Sequence, residues 1–184
     1  MTVTVSMLRG VNVGGHNKIK MDALRGLCES LGYRDAQTYI QSGNIVFRAK
    51  EREIASLEKR IAGGIEKTFG FRCGVIVRTL DELRDALVRN PFAKRPDVDP
   101  SRLLFLFLAG TPTVEVQAKV MQIKAEPEEF RISGRELYIY YPNGMARPKL
   151  SLPQLEKTLA TAATGRNWNT VRKLVEMAEE LEAT

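Results

Sequence analysis

The order of strand-like and helix-like segments in the first 78 residues is the feature of this sequence that most restricts its fold. Apolar patterns predict strands at residues 3–8, 36–41, 45–48 and 73–78. Apolar residues at steps of three and four predict one helix after the first strand and another after the third. The resulting β-α-β-β-α-β order is typical of the split βαβ, or ferredoxin-like, arrangement.

The rest of the chain partly repeats this order. Thr79 and Glu82 have capping-box spacing and predict a third helix. A Pro- and Asp-containing linker follows. Beyond it the patterns predict a buried strand at 103–108, a helix with Thr111 as N-cap and Pro112 at N1, a β-hairpin, and two closing helices.

These patterns predict an α+β protein with two ferredoxin-like (βαββαβ-type) halves in tandem, the second ending in helices. The element order predicted for the second half is β-α-β-β-α-α. The expected domains are residues 1–90, which carry a Gly-rich loop, and residues 102–184, a related α+β half, with 91–101 as the linker.

Composition favours a soluble cytoplasmic protein. The longest apolar run, Leu103 to Ala109, is far shorter than the roughly 20 residues of a membrane span. A strand pattern begins almost at Met1 and leaves no room for a signal peptide. Cys28 and Cys73 form no Cys-x-x-Cys pair, so we expect reduced structural thiols and no metal site.

The Gly-rich loop at residues 10–17 is the first candidate site. Gly10 and Gly15 have the glycine spacing of a Walker A loop, but His16 and Asn17 occupy the positions that need Lys and Ser or Thr. Classical ATP hydrolysis is therefore disfavoured, and no dinucleotide fingerprint is present. What remains is a strand-to-helix turn that directs N–H groups and a helix dipole outward, a pattern typical of anion sites. Alternatively, the glycines serve only the turn.

Topology places a second polar loop beside the first. In a β-α-β-β-α-β unit the second strand runs parallel to the first, so the Ser42–Asn44 hairpin connection lies at the same sheet edge as the Gly-rich loop. The alternative is that this segment merely closes a hairpin. The predicted ligand-binding residues of these two loops are Arg9, Asn12, Gly14, Gly15, Asn17, Lys18, Gln41, Ser42 and Asn44.

Two C-terminal segments add candidates. Arg147 and Lys149, in a turn-rich connection, would hold a phosphate or carboxylate, or be ordinary exposed charges. The segment Arg166-Asn167-Trp168 would supply polar contacts and a stacking platform for a base or sugar. Alternatively, it starts the last helix, with Asn169 or Thr170 as N-cap and Trp168 as a hydrophobic staple.

Three longer motifs resemble a known bacterial family. They are LRGVNVGGHN at 8–17, TYIQSGNIVF at 38–47 and RNWNTV at 166–171, and together they span nearly the whole chain. The chain closely resembles the domain of unknown function 1697 family. This resemblance implies a fold and the positions of the motifs, and it implies no reaction.

The preferred function is binding of a small anionic or nucleotide-like ligand by the Gly-rich loop and the facing hairpin. The net charge of +6 leaves a nucleic-acid-binding module as one alternative, and a protein-interaction domain without a small ligand is another. The single histidine, His16, gives catalysis little support, so enzymatic activity stays open. No cofactor is predicted, and the sequence leaves the oligomeric state open.

Overall fold

The computed structural model describes residues 1–50 and 53–184. The first half contains β1 (Thr2–Leu8), α1 (Met21–Ser30), β2 (Arg34–Tyr39), β3 (Asn44–Ala49), α2 (Ile54–Phe69), β4 (Val75–Thr79) and α3 (Leu80–Val88). After a 3-10 turn at Pro100–Arg102, the second half contains β5 (Leu103–Leu108), α4 (Val114–Met121), β6 (Glu129–Ser133), β7 (Glu136–Tyr140), α5 (Leu152–Leu159), β8 (Ala163–Asn167) and α6 (Trp168–Glu182).

The strands form two four-stranded antiparallel sheets, in the orders β2-β3-β1-β4 and β6-β7-β5-β8. The predicted α+β class with two ferredoxin-like halves is thereby confirmed, and α6 closes the chain as a helix. The order predicted for the second half was wrong in one respect, because it lacked β8. That strand reads Ala-Thr-Gly-Arg-Asn and has no apolar alternation, so only its pairing with β5 reveals it.

The chain divides into two compact units. The first unit contains Met1–Arg84 and Lys173–Thr184, and the second contains Asp85–Arg172. Helix α6 therefore starts in the second unit and ends in the first. The domain limits expected from the sequence, 1–90 and 102–184 around a linker, stay a prediction.

Each sheet has one face covered by helices of its own unit. In the first unit, α1 and α2 contribute buried leucine and isoleucine side chains that pack against Ile45 and Phe47 of β3. The Tyr33 ring stacks on Phe47 with a centroid distance of 4.7 Å, and the Arg60 guanidinium lies 5.3 Å from the Tyr33 ring centroid. In the second unit, α5 packs on β5 and β7 through Leu155 and its neighbours.

Helix starts test the capping predictions. The Thr79–Glu82 capping box is confirmed: the Thr79 amide donates to the Glu82 carboxylate at 2.9 Å, and the Glu82 amide donates to Thr79 Oγ1 at 3.2 Å. The prediction that Thr111 caps α4 was wrong. Thr113 is the N-cap, since its side chain accepts from the amide of Val116.

The start of α6 also differs from the prediction. Trp168 is its first residue, and the Asn169 amide donates to Asn167 Oδ1 at 2.9 Å. Asn167 is thus the cap, rather than Asn169 or Thr170. Pairing of β8 with β5 extends the strand to Asn167 and leaves that residue as the first one available to cap the helix.

In the described parts of the chain, no helix combines the length and the apolar character needed to cross a membrane.

Candidate functional site

The Gly-rich loop leaves β1 and folds back on itself. Left-handed backbone conformations occur at Asn12 and Asn17, with φ of 55° and 50°, as well as at its three glycines. The Asn12 amide donates to the Asn17 carbonyl at 3.1 Å, and Asn17 Nδ2 donates to the Gly10 carbonyl at 3.1 Å. Asparagine tolerates these backbone angles better than most residues. The loop is therefore held by its own hydrogen bonds.

The turn between β2 and β3 is built around a buried asparagine. Asn44 Nδ2 donates to the Tyr39 carbonyl and to Ser42 Oγ, both at 2.9 Å. Ile40 has a φ of 50° and is 49% exposed, an uncommon conformation for a β-branched side chain. The Gly43 carbonyl accepts from the Leu8 amide at 2.9 Å, which attaches the turn to the end of β1.

Asn12 joins the two loops. Its Nδ2 donates to the Gln41 carbonyl at 2.8 Å and to the Ile19 carbonyl at 3.0 Å, while its Oδ1 accepts from the Ile19 amide at 2.9 Å. The side-chain amide is thus largely committed to protein partners. The expected convergence of the two loops is present, and Asn12 fixes their spacing.

An open cavity of about 790 Å³ lies where the loops meet the start of α1. Its lining consists of Asn12, Gly15, Lys18, Ile19, Lys20, Met21, Asp22 and Gln41. One wall is formed by the Gly-rich loop and the Gln41 turn, and the other by the segment that leads into α1.

Positive charge dominates this cavity. Lys18 and Lys20 are exposed, and neither has an acidic partner among the residues that the structure describes. The acidic side chain of the lining, Asp22, forms an ion pair with Arg25. Lys20 is the N-cap of α1 and makes no side-chain capping hydrogen bond, so the positive end of the helix dipole opens toward the same space.

The predicted residues of the first unit divide into two groups. Asn12, Gly15, Lys18 and Gln41 line the cavity. The residues that belong to the two loops or flank them without lining the cavity are Arg9, Gly14, Asn17, Ser42 and Asn44. The prediction from sequence missed the other four lining residues, Ile19, Lys20, Met21 and Asp22. The absence of a capping residue before an amphipathic helix was a usable signal for Lys20 and Met21.

The predicted residues of the second unit make separate contacts. Arg147 and Lys149 are exposed, and the Lys149 backbone amide donates to the buried Glu128 carboxylate at 3.0 Å. Arg166 is buried and donates to Thr164 Oγ1 at 2.9 Å and to the Gly165 carbonyl at 2.8 Å. Burial lowers the pKa of Arg166 to about 10.

Asn167 and Trp168 lie at the junction of β8 and α6. Besides capping the helix, Asn167 donates from Nδ2 to the Ser101 carbonyl at 2.6 Å, and Trp168 is half-buried. Both residues have roles in the local framework. Among the described residues, no three His, Cys, Asp or Glu side chains are grouped in a way that would hold a metal ion.

Fold and site together define a class: a tandem ferredoxin-like α+β protein with a basic cavity built from two loops and a helix N-terminus. The sequence matches the model of the family described as "protein of unknown function (DUF1697)" over residues 1–138. The chain belongs to this family, and the resemblance predicted from the sequence is confirmed.

A solved structure is similar over almost the whole chain. It is that of the conserved bacterial protein SP0830 from Streptococcus pneumoniae, with a TM-score of 0.71 and 25% sequence identity. The similarity covers 96% of this chain and 98% of the other. No curated protein sequence matches this chain.

Proposed function

We propose that the first unit binds a small anionic, nucleotide-like ligand in the cavity between the Gly-rich loop and the Gln41 turn. The observation that carries the proposal is the pairing of Lys18 and Lys20 with the uncapped N-terminus of α1 on one cavity wall. A phosphate or carboxylate at this position would accept hydrogen bonds from backbone amides of the first helical turn and interact favourably with both ammonium groups.

The size and lining of the cavity support a ligand with an apolar part. A volume of about 790 Å³ falls within the usual range for small-molecule sites, about 300–1,000 Å³. Met21 and the aliphatic portions of the two lysines offer apolar surface next to the cationic groups. A ligand that combines a ring with a phosphate, such as a nucleotide, would place the ring on the apolar surface and the phosphate beside the cationic groups.

The distribution of charge favours a small anion over a long nucleic acid. Several arginines elsewhere in the first unit are in ion pairs, including Arg48 with Asp35 at 3.1 Å and Arg72 with Glu66 at 2.6 Å. A nucleic acid would need a broad surface of available cations, because each neutralised phosphate contributes to affinity. The two lysines of the cavity suit one or two anionic groups.

A thermal-shift screen at low salt tests the proposal, with inorganic phosphate, nucleoside mono-, di- and triphosphates, sugar phosphates and dicarboxylates as probes. A probe at 100 times its dissociation constant adds about 2.7 kcal/mol to stability and raises the unfolding midpoint. The double variant Lys18→Glu/Lys20→Glu should weaken binding of the active probe by at least about tenfold, which corresponds to about 1.4 kcal/mol.

Lys67→Glu is the matched control, because Lys67 is an exposed lysine of α2 outside the cavity lining. It changes the net charge in the same direction and should leave the affinity nearly unchanged. Unaltered affinity in the double variant would refute the site, as would the absence of a stabilising probe in the panel. Stabilisation only by oligonucleotides, lost steeply with added salt, would instead support the nucleic-acid alternative.

A further inference from the structure

The second unit has an edge strand, β6, whose outward hydrogen-bonding groups can be assigned from its neighbours. The Tyr141 amide donates to the Arg102 carbonyl at 3.0 Å and the Leu108 amide to the Arg135 carbonyl at 2.9 Å. Odd-numbered residues of β7 and its extensions therefore bond toward β5, and even-numbered ones bond toward β6.

The register of the hairpin extends this alternation to β6. Arg131 pairs with Tyr138, so its backbone groups point into the sheet. Phe130 and Ile132 are one position out of phase, and their amide and carbonyl groups point away from the sheet. One of these outward acceptors is covered: Arg131 Nη1 donates to the Phe130 carbonyl at 2.8 Å.

The other sheet edges are protected within their own units. On β4, the outward amides of Val77 and Thr79 donate to the carboxylates of Glu58 and Glu82 at 3.0 and 2.9 Å. Strand β2 is interrupted by a register shift between Arg34 and Gln37. Strand β8 is largely buried. Such devices prevent strand addition. Strand β6 is regular, and within residues 1–50 and 53–184 the side-chain contact to its outward backbone groups is the one from Arg131 to the Phe130 carbonyl.

A cavity of about 710 Å³ runs along this edge. Four consecutive residues, Glu128–Arg131, line it together with Met121, Ile123, Lys124, Ala125, Glu126 and Lys149. Side chains of consecutive strand residues point to opposite faces of a sheet. Glu129, Phe130 and Arg131 are consecutive residues of β6, so a cavity that touches all three must meet the strand at its edge, and the edge groups of Phe130 open into it.

The exposed charged side chains of the cavity lining are three cations and one carboxylate, Glu126. Lys124, Arg131 and Lys149 are exposed and have no acidic partner in the parts of the chain that the structure describes. The acidic residues of the lining are mostly engaged. Glu128 accepts from the Lys149 and Leu150 amides at 3.0 and 2.9 Å, and Glu129 accepts from Arg95 Nη1 at 2.8 Å.

We propose that the edge of β6 is a docking site for an extended acidic segment of a partner protein, which adds to the second sheet as a fifth strand. The peptide backbone would exchange hydrogen bonds with Phe130 and Ile132, and Arg131 would turn from the Phe130 carbonyl to an acidic side chain of the partner. Lys124 and Lys149 provide further charge complementarity. Main-chain bonds supply the affinity and the three cations the selectivity. This proposal is independent of ligand binding by the first unit.

The experiment is a selection from a display library of random octapeptides on the full-length protein, with Ile132→Pro as the counter-selection. Proline removes the outward amide of residue 132 and leaves the β6–β7 hydrogen bonds in place, because that residue does not bond to β7. We expect enriched peptides rich in Asp and Glu, with binding at least about tenfold weaker to Ile132→Pro, which loses one main-chain hydrogen bond and gains steric conflict.

Ile132→Ala is the matched control, since it shortens the same side chain and retains the amide; it should bind the selected peptides nearly as well as the native chain. The triple variant Lys124→Glu/Arg131→Glu/Lys149→Glu keeps the strand edge and should lose the acidic peptides. Circular dichroism will show whether Ile132→Pro folds. If it does not, the triple variant takes its place as the counter-selection.

Three results would overturn the proposal. One is the absence of enrichment over the counter-selected or charge-reversed protein. Another is selection of basic peptides. The third is concentration-dependent dimerisation of the native chain, seen by sedimentation and lost in Ile132→Pro, because it would assign the edge to a second copy.

Discussion

Gly43 and Gly70 have the same backbone conformation in different surroundings. Both have a φ of 78°, which disfavours any side chain. A Cβ at position 70 would meet open space, whereas one at position 43 would lie 2.7 Å from Val11 Cγ2 and 2.8 Å from Leu8 Cβ. The turn beside the candidate site is therefore packed directly against the end of β1.

We expect Gly70→Ala to lower the free energy of unfolding by about 1–2 kcal/mol, the cost of a left-handed alanine. Gly43→Ala should lose about 1–3 kcal/mol more, because the new methyl group overpacks the contact with Leu8 and Val11. Urea unfolding of both variants measures the difference. Equal losses would mean that the turn can shift away from β1 without cost.

Burial of Cys28 makes the free energy of unfolding depend on pH. Burial, with a smaller contribution from Glu29, raises the pKa of its thiol to about 12. The folded protein therefore keeps the proton at pH values where the unfolded chain, with an ordinary thiol pKa, releases it. The contribution of Cys28 to the free energy of unfolding is fully present below the ordinary thiol pKa of about 9. It is lost as the pH rises toward the pKa of the folded state.

At pH 10 this one thiol should reduce the free energy of unfolding by about 1 kcal/mol relative to pH 8. Cys28→Ala will be less stable at every pH, because it leaves space in the core, yet its stability should fall less between pH 8 and pH 10. Urea titrations at intervals of half a pH unit make the comparison. Identical slopes for the two proteins would show that another group governs this range.

At the scale of elements, α4 begins at a different residue from the one that the local sequence pattern predicts. Thr111-Pro112 has the sequence of an N-cap followed by proline, but the chain continues extended and the helix begins after Thr113. The Gly110 amide donates to Thr161 Oγ1 at 3.3 Å and Pro112 is buried, so contacts across the second unit shape this approach. Those contacts determine which of the two threonines is the N-cap of α4.

Thr113→Ala should cost about 1 kcal/mol of stability, because the amide of Val116 loses its side-chain acceptor. Thr111→Ala is the natural control, since both threonines are exposed and lie two residues apart. It should change stability by less than about 0.5 kcal/mol. Thermal unfolding of the two variants measures the difference. A larger loss of stability in Thr111→Ala than in Thr113→Ala would contradict the observed helix start.

At the scale of the whole molecule, the C-terminal residues belong with the N-terminal unit. Leu174, Val175, Ala178 and Leu181 are buried, and Arg48 Nη2 donates to the Leu181 carbonyl at 2.5 Å. The first unit therefore contains a segment that is remote from it in sequence, and a fragment that ends near residue 90 would lack this segment.

Removal of residues 173–184 should unfold the first unit. Each of its four buried leucine, valine and methionine side chains contributes about 1.5–3 kcal/mol, and together they approach the entire stability of a small domain. Amide hydrogen exchange should then show loss of protection in β1–β4. The control Glu179→Ala/Glu182→Ala removes exposed ion pairs with Arg84 and should leave protection nearly unchanged. Retained protection in the truncated chain would contradict the assignment.

The sequence by itself determined the strand and helix order of the first half, the Thr79–Glu82 cap and the meeting of the two loops at one sheet edge. These follow from local periodicity, capping chemistry and the direction of successive strands. Tertiary structure decided the existence of β8, the joining role of Asn12 and the place of Lys20 in the cavity. The Asn12–Gln41 hydrogen bond spans 29 residues, and β8 lies far along the chain from its partner β5. Such pairings depend on which distant backbone groups the fold leaves to be satisfied, and no local pattern contains that information.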